Sequence, residues 1–216
     1  MRRCNYYKKM IWLALFAVAM AYFEAAVVVY LRQLFYPDSF PFPLKIIPFK
    51  FLAIELFREA ATMLMLVVMA VVAGKKFWER FGYLVILFGI WDIFYYIWLK
   101  LTIGWPVTLQ DWDILFLVPV PWLGPVIAPV LVALFMIVVG TVITDLYDRG
   151  FVYRPDLITW LLTLFGTGLI LYSFTCDALA GRQDQITRSY LYSLLTAGLF
   201  LYGLAFIVSL RNVKKQ

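Results

Sequence analysis

The sequence predicts an all-α polytopic membrane protein, a bundle of six transmembrane helices with proline-rich outer segments. Composition is the first sign. Of 216 residues, 64% are hydrophobic and only 15% charged, whereas a soluble domain is nearer half apolar and a quarter charged. Length is the second. The apolar residues fall into six runs of about 19–22 residues, each about 30 Å of helix and therefore as long as a hydrocarbon core is thick. Pattern is the third. The runs do not alternate in polarity as barrel strands would, and backbone groups in lipid need partners within their own segment, so the runs are helices. No hydrophilic stretch is long enough for a soluble domain, and residues 1–216 are expected to form a single integral membrane domain.

The first helix is expected over 10–31, between Lys9 and Arg32. The basic start, Arg2-Arg3 to Lys8-Lys9, resembles a signal-peptide n-region, but the following run is too long, carries Glu24 and has no convincing cleavage site, so the helix is expected to be retained. The second spans 52–73, before Lys75 and Lys76, and the third 81–99, between Arg80 and Lys100. The fourth spans 125–145, with Pro125 suited to a first helical turn. The fifth spans 157–176 and the sixth 189–210, between Arg188 and Arg211.

Two connections are unusual. The one from Arg32 to Phe51 carries Pro37, Pro41, Pro43 and Pro48 among aromatics, a spacing that forbids helix and favours an extended path. The run Trp112 to Gly124 is as apolar as a span but is broken by Pro119 and Pro121. It is expected to lie in the interface or to dip into the bundle as a re-entrant segment; the alternative is one long proline-kinked fourth helix. Gly166, Gly168, Gly198 and Gly203, and the stripe Ala14, Ala17, Ala21, Ala25, are expected to allow close helix packing.

The net charge of +6 is topological rather than a nucleic-acid signature. With the N-terminus inside, the inner segments carry 12 of the 19 Lys and Arg residues, which is expected to place both termini on the cytoplasmic side of the membrane. Membrane lipids are the expected partners, with partner membrane subunits or further copies of the chain as possibilities and no nucleic acid. The absence of histidine removes His-ligated haem, zinc and di-iron sites and any Ser-His-Asp triad. No cofactor and no metal site is expected. Cys4 and Cys176 fall on opposite sides of the membrane and are not expected to pair. There is no phosphate-binding glycine loop and no nucleophile elbow. Asp145-Leu146-Tyr147-Asp148 is similar to a single Asp-rich motif of membrane prenyltransferases, and Asp111-Trp112-Asp113 to a minimal DxD, but both matches are too short to carry an activity.

Charges within apolar runs carry the functional signal, because they are costly in a bilayer and rare. Glu24 lies eight residues before Arg32, Asp92 eight before Lys100, and Glu59 nine after Lys50. Eight residues is about 12 Å of helix, so carboxylates on three consecutive helices share one level in the outer half of the membrane. Arg58 is at nearly that level, and Glu55 lies one turn further out on the Glu59 face. One arginine among these acids leaves a deficit, to be met by protonation or by a cation or basic ligand. Asp111, Asp113, Lys100 and Asp177 are expected at the outer mouth. The bland alternative is a structural ion pair of Arg58 with Glu24 or Asp92.

The stretches 21–32 (AYFEAAVVVYLR), 91–96 (WDIFYY) and 119–126 (PVPWLGPV) together resemble a group of uncharacterised bacterial polytopic inner-membrane proteins. The resemblance covers about the first two-thirds of the chain and implies no activity and no residue roles. The expected function is binding or passage of a small cation, proton or amphipathic ligand, or service as an accessory subunit. The alternative is a membrane enzyme acting on a lipid or isoprenoid by carboxylate acid/base chemistry, which needs neither histidine nor cofactor.

Overall fold

The computed structural model describes residues 2–35, 49–117, 120–179 and 189–215. The prolines at 37, 41, 43, 48 and 119, with Arg182 and Arg188, lie outside the described residues. Six helices are long and apolar enough to cross a membrane: α1 (Arg2–Phe35), α2 (Phe49–Ala73), α3 (Phe77–Ile103), α4 (Ile127–Asp148), α5 (Leu157–Leu179) and α6 (Tyr192–Leu210). The chain is thus a multi-pass helical membrane protein. With six crossings, both termini lie at one end of the bundle, called here the terminal end. Every expected span is present; α1 extends at both ends, and α6 starts at Tyr192 rather than Ser189.

Small residues set the packing, because lipid tails give apolar side chains no reason to leave them and helices associate through close contact. The tightest seam joins α3 to α4. A Cβ on Gly140 would stand 2.5 Å from the Gly82 carbonyl oxygen, and one on Gly89 2.6 Å from the Ala133 carbonyl oxygen. Gly82 and Gly89 are seven residues apart, two turns of one face, and meet Gly140 and Ala133 at the same spacing on the antiparallel partner. Gly166 and Gly198 form the equivalent contact between α5 and α6, but a Cβ on Gly168 or Gly203 would meet nothing within 4 Å. Those two glycines therefore do not serve packing as expected. On α1, Ala17, Ala21 and Ala25 are fully buried, and the first two with Leu13, Met20, Leu66, Ala70, Tyr83, Ile86 and Leu87 build a core among α1, α2 and α3. The outer faces stay apolar and exposed, Phe57, Leu64 and Val72 of α2 among them, as lipid contact requires.

The run after α3 is not a kinked helix. Trp112–Phe116 (β1) and Trp122–Pro125 (β2) pair antiparallel as a hairpin with an irregularity between Ile114 and Phe116. Pro125 thus ends a strand, and it is Pro129 that occupies the first turn of α4, where a missing N–H costs nothing. The hairpin reaches deep. Phe116 stacks on Phe88 and contacts Trp91 at the middle of α3, while Trp122 stacks on Phe174 of α5. A hairpin is admissible at such depth because its strands satisfy one another and protein covers its edges.

At the terminal end, Tyr6 shares a hydrogen bond with Thr144, and Lys9 Nζ donates to the Ala73 carbonyl and lies over the Tyr83 ring. Glu79 accepts from the Lys75 and Lys76 amides at the start of α3. Asp156 caps α5, accepting from the Thr159 amide and hydroxyl, and these bonds with one from Asn212 hold its carboxyl below its ordinary range. Phe151–Val152 (β3) pairs with Lys214–Lys215 (β4), so the end of the chain is tied to the α4–α5 connection.

Candidate functional site

Glu24 lies eleven residues before the end of α1, Asp92 eleven before the end of α3, and Glu59 ten after the start of α2. Each is about 15–17 Å along its helix from the end opposite the termini. The three side chains come together, with Glu55, Arg58, Arg32 and Asp113, around one cavity of about 150 Å³. Val28, Leu31, Trp91, Tyr95, Tyr96 and the hairpin residues Ile114 to Leu117 complete its wall, so charged and apolar groups line it together.

Arg58 is the hub. Its Nη1 donates to Glu24 Oε1, its Nε donates to Glu55 Oε2 at 2.8 Å, and its Nη2 lies 2.8 Å from the same oxygen as an ion pair. The other Glu24 oxygen accepts from Thr62 Oγ1 at 3.1 Å. Glu55 is one helical turn before Arg58, so this pairing fixes the guanidinium before it reaches across to α1. The expected structural pair with Glu24 is thus present, but none with Asp92. Glu55, left without a role in the structural alternative, is the second arm of the clamp. Glu59 serves the hairpin, with its Oε2 accepting from the Leu117 amide at 3.3 Å. Leu117 follows β1 and has no cross-strand partner among the described residues, so a half-buried donor is satisfied from α2.

A second cation enters from the end of α1. Arg32 Nη2 approaches Asp113 Oδ1 at 3.4 Å and its guanidinium stacks on Trp105 at 3.8 Å. Asp113 is only 4% exposed. The Tyr96 hydroxyl lies close enough to act on its charge, yet Asp113 Oδ2 has no hydrogen-bond partner of ordinary geometry. Asp92 Oδ2 and Trp91 Nε1 likewise have none. Five carboxyls and two arginines line the cavity, so the acidic excess reaches the interior and is not cancelled by pairing.

The expected outer-mouth group divides. Asp113 is in the cavity wall rather than at a mouth. Lys100 Nζ donates to the carbonyls of Gly104, Pro106 and Val107 and so closes the turn after α3. Asp111 accepts from the Val107 amide and the Thr108 hydroxyl; burial alone would raise its pKa, but these bonds hold the carboxyl below its ordinary range. Asp177, near the end of α5, does not line the cavity. Neither Cys4 nor Cys176 forms a disulfide. Among the described residues, no three acidic, cysteine or histidine side chains converge closely enough to hold a metal ion. Sequence reasoning missed Arg32, read only as a helix end, and Trp91. Asp113 did carry the signal that singled out Glu24, a charge inside an apolar run. Comparison of the chain with protein-family models, with curated proteins and with solved structures gives no match.

Proposed function

We propose that this membrane protein binds a small organic cation of the ammonium type in the cavity between α1, α2, α3 and the hairpin. One observation carries the reading: Asp92 and Asp113 line a cavity whose carboxyls outnumber its arginines five to two, and among the described residues Asp92 has no ion-pair partner. Buried carboxylates in excess of their cationic partners are costly, and an ammonium group in the cavity offsets that excess. The volume, about 150 Å³, suits a ligand of a few heavy atoms. Binding is favoured over passage, because the core of Leu13, Ala17, Met20, Leu66 and Tyr83 closes α1 to α3 below the site with apolar side chains. Access is from the end opposite the termini, which positive-inside counting makes the outer face.

The test is saturable binding of propylammonium chloride to the purified protein in phosphatidylcholine nanodiscs, followed by calorimetry against a sodium chloride control. Wild type is expected to saturate, and Asp92→Asn and Asp113→Asn to bind at least tenfold more weakly. Equal titrations for all three proteins, or none that saturates, overturn the reading. Carboxylate acid/base chemistry on a lipid is the second reading. It draws on the contrast between Asp92, which has no cationic partner, and Glu24 and Glu55, which share Arg58. Turnover of an added lipid, lost in Asp92→Asn, would favour it.

A further inference from the structure

The cavity wall is aromatic as well as acidic. Trp91, Asp92, Tyr95 and Tyr96 recur at the spacing of one α3 face and all line it, and Phe116 of the hairpin joins them. The rings form a row. Phe116 lies 6.5 Å from Trp91 between centroids; one helical turn further, Tyr95 lies 5.0 Å from Tyr96, and Tyr96 lies 6.2 Å from Trp105. The last ring of the row already holds a cation, because the guanidinium of Arg32, itself a lining residue, stacks 3.8 Å over Trp105. Aromatic faces carry negative potential and attract cations laid against them.

The carboxyls supply charge but few free oxygens. Both oxygens of Glu24, Oε2 of Glu55, Oε2 of Glu59 and Oδ1 of Asp113 already accept from the chain. Asp92 Oδ2 and Asp113 Oδ2 are closed to a water-sized molecule. At most one oxygen each on Glu55, Glu59 and Asp92 is left for a ligand. A primary ammonium brings three N–H donors out of a tight hydration shell and needs converging acceptors in its place. A quaternary ammonium has no N–H, so a negative field and aromatic faces are what it requires.

Resting on the proposed cation site, we infer that its ligand is a methylated, quaternary ammonium, either a free ion or the choline headgroup of a phospholipid. The N-methyl groups lie against Tyr95 and Phe116, the half-buried rings among the aromatic lining residues. The excess of carboxyls around the cavity balances the charge without a direct hydrogen bond.

Tetramethylammonium and propylammonium are of similar size and equal charge and differ in N–H groups, which makes them the discriminating probes. In dodecylmaltoside, a detergent without an ammonium group, calorimetry on wild type is expected to show tetramethylammonium bound roughly tenfold more tightly than propylammonium. Tyr95→Leu and Phe116→Leu keep apolar bulk and remove a ring, so each should narrow that preference. The comparison is made within each protein, so a general loss of folding cannot imitate a lost preference. Fluorination of the Phe116 ring is the second measurement. It keeps the shape, withdraws charge from the ring face and makes the ring no less apolar, so it should narrow the preference as well. Equal affinities in wild type, or tighter propylammonium, overturn this inference and leave the cation site standing. A preference kept through both substitutions and through fluorination overturns the assignment to the rings. If neither probe saturates in wild type, the cation site itself falls. The source follows from adding short-chain phosphatidylcholine to the tetramethylammonium complex, with short-chain phosphatidylglycerol as control. Displacement by the first beyond that by the second supports the inference with the headgroup as ligand, and equal effects of the two support it with the free ion.

Discussion

Arg58 decides how much of the acidic level is architecture. It joins α1 to α2 through Glu24 and holds Glu55 on its own helix, so the helices are fixed where α2 carries its charges. Removing one member of a buried ion cluster costs about 3–5 kcal/mol, because the charges left behind lose their partner. Interhelical hydrogen bonds in membranes average only about 0.6 kcal/mol and reach about 1.7 at most. Arg58→Met is therefore expected to lower the thermal midpoint in detergent markedly, and Thr62→Ala, which removes one bond to Glu24, to change it little. Replacing the cluster as a unit (Arg58→Met with Glu24→Gln and Glu55→Gln) should recover most of the loss. Equal midpoints for the two single variants would show that the clamp does not hold the bundle. Asp92 and Asp113 stand apart from this clamp, so the structural and ligand-binding readings apply to different residues of one level. That separation was partly legible in the sequence. Counting residues from helix ends brought Glu24, Glu59 and Asp92 to one depth, but the partner of Arg58 depends on the rotation of α1 against α2, which a single sequence does not encode.

Glycine and proline show what element-scale reading can reach. Pro119 and Pro121 separated the run 112–124 from the fourth helix, since a proline removes a helical hydrogen bond. They did not reveal a hairpin, because Trp112, Ile114, Leu115 and Phe116 are all apolar and all half-buried, which leaves no alternation to read. The packing glycines were half legible. Gly166 and Gly198 are close contacts, Gly168 and Gly203 are not, and the tighter seam of Gly82, Gly89 and Gly140 lies among large side chains that conceal it. Glycine is costly inside a helix by about 1 kcal/mol relative to alanine unless its lack of a side chain is used. Gly140→Ala is expected to lower the thermal midpoint, because its Cβ would stand 2.5 Å from the Gly82 carbonyl and force α3 from α4. Gly203→Ala meets nothing and should leave the midpoint unchanged or raise it slightly. A Gly140→Ala protein as stable as wild type would refute the account of the seam.

At the scale of the whole molecule, the hairpin ties two groups of helices together over the cavity. Phe116 packs on α3 beside the core of α1 to α3, and Trp122 and Trp112 pack on Phe174 and Tyr190 in the second cluster with α5 and α6. The cavity lies in the half of the bundle away from the termini, and its biological meaning depends on which compartment that end faces. Lys and Arg are concentrated at the terminal end, and an excess of them in short loops marks the cytoplasmic side. The chain carries its own reporter. Cys4 is exposed at the terminal end, and Cys176, half-buried, lies near the other. In a Cys176→Ala protein expressed in a bacterial host, a membrane-impermeant maleimide is expected to label Cys4 in inside-out vesicles and not in right-side-out ones. The reverse pattern would turn the cavity toward the cytoplasm, and a cytosolic amine would replace an external one or an outer-leaflet headgroup as the species presented to Asp92 and Asp113.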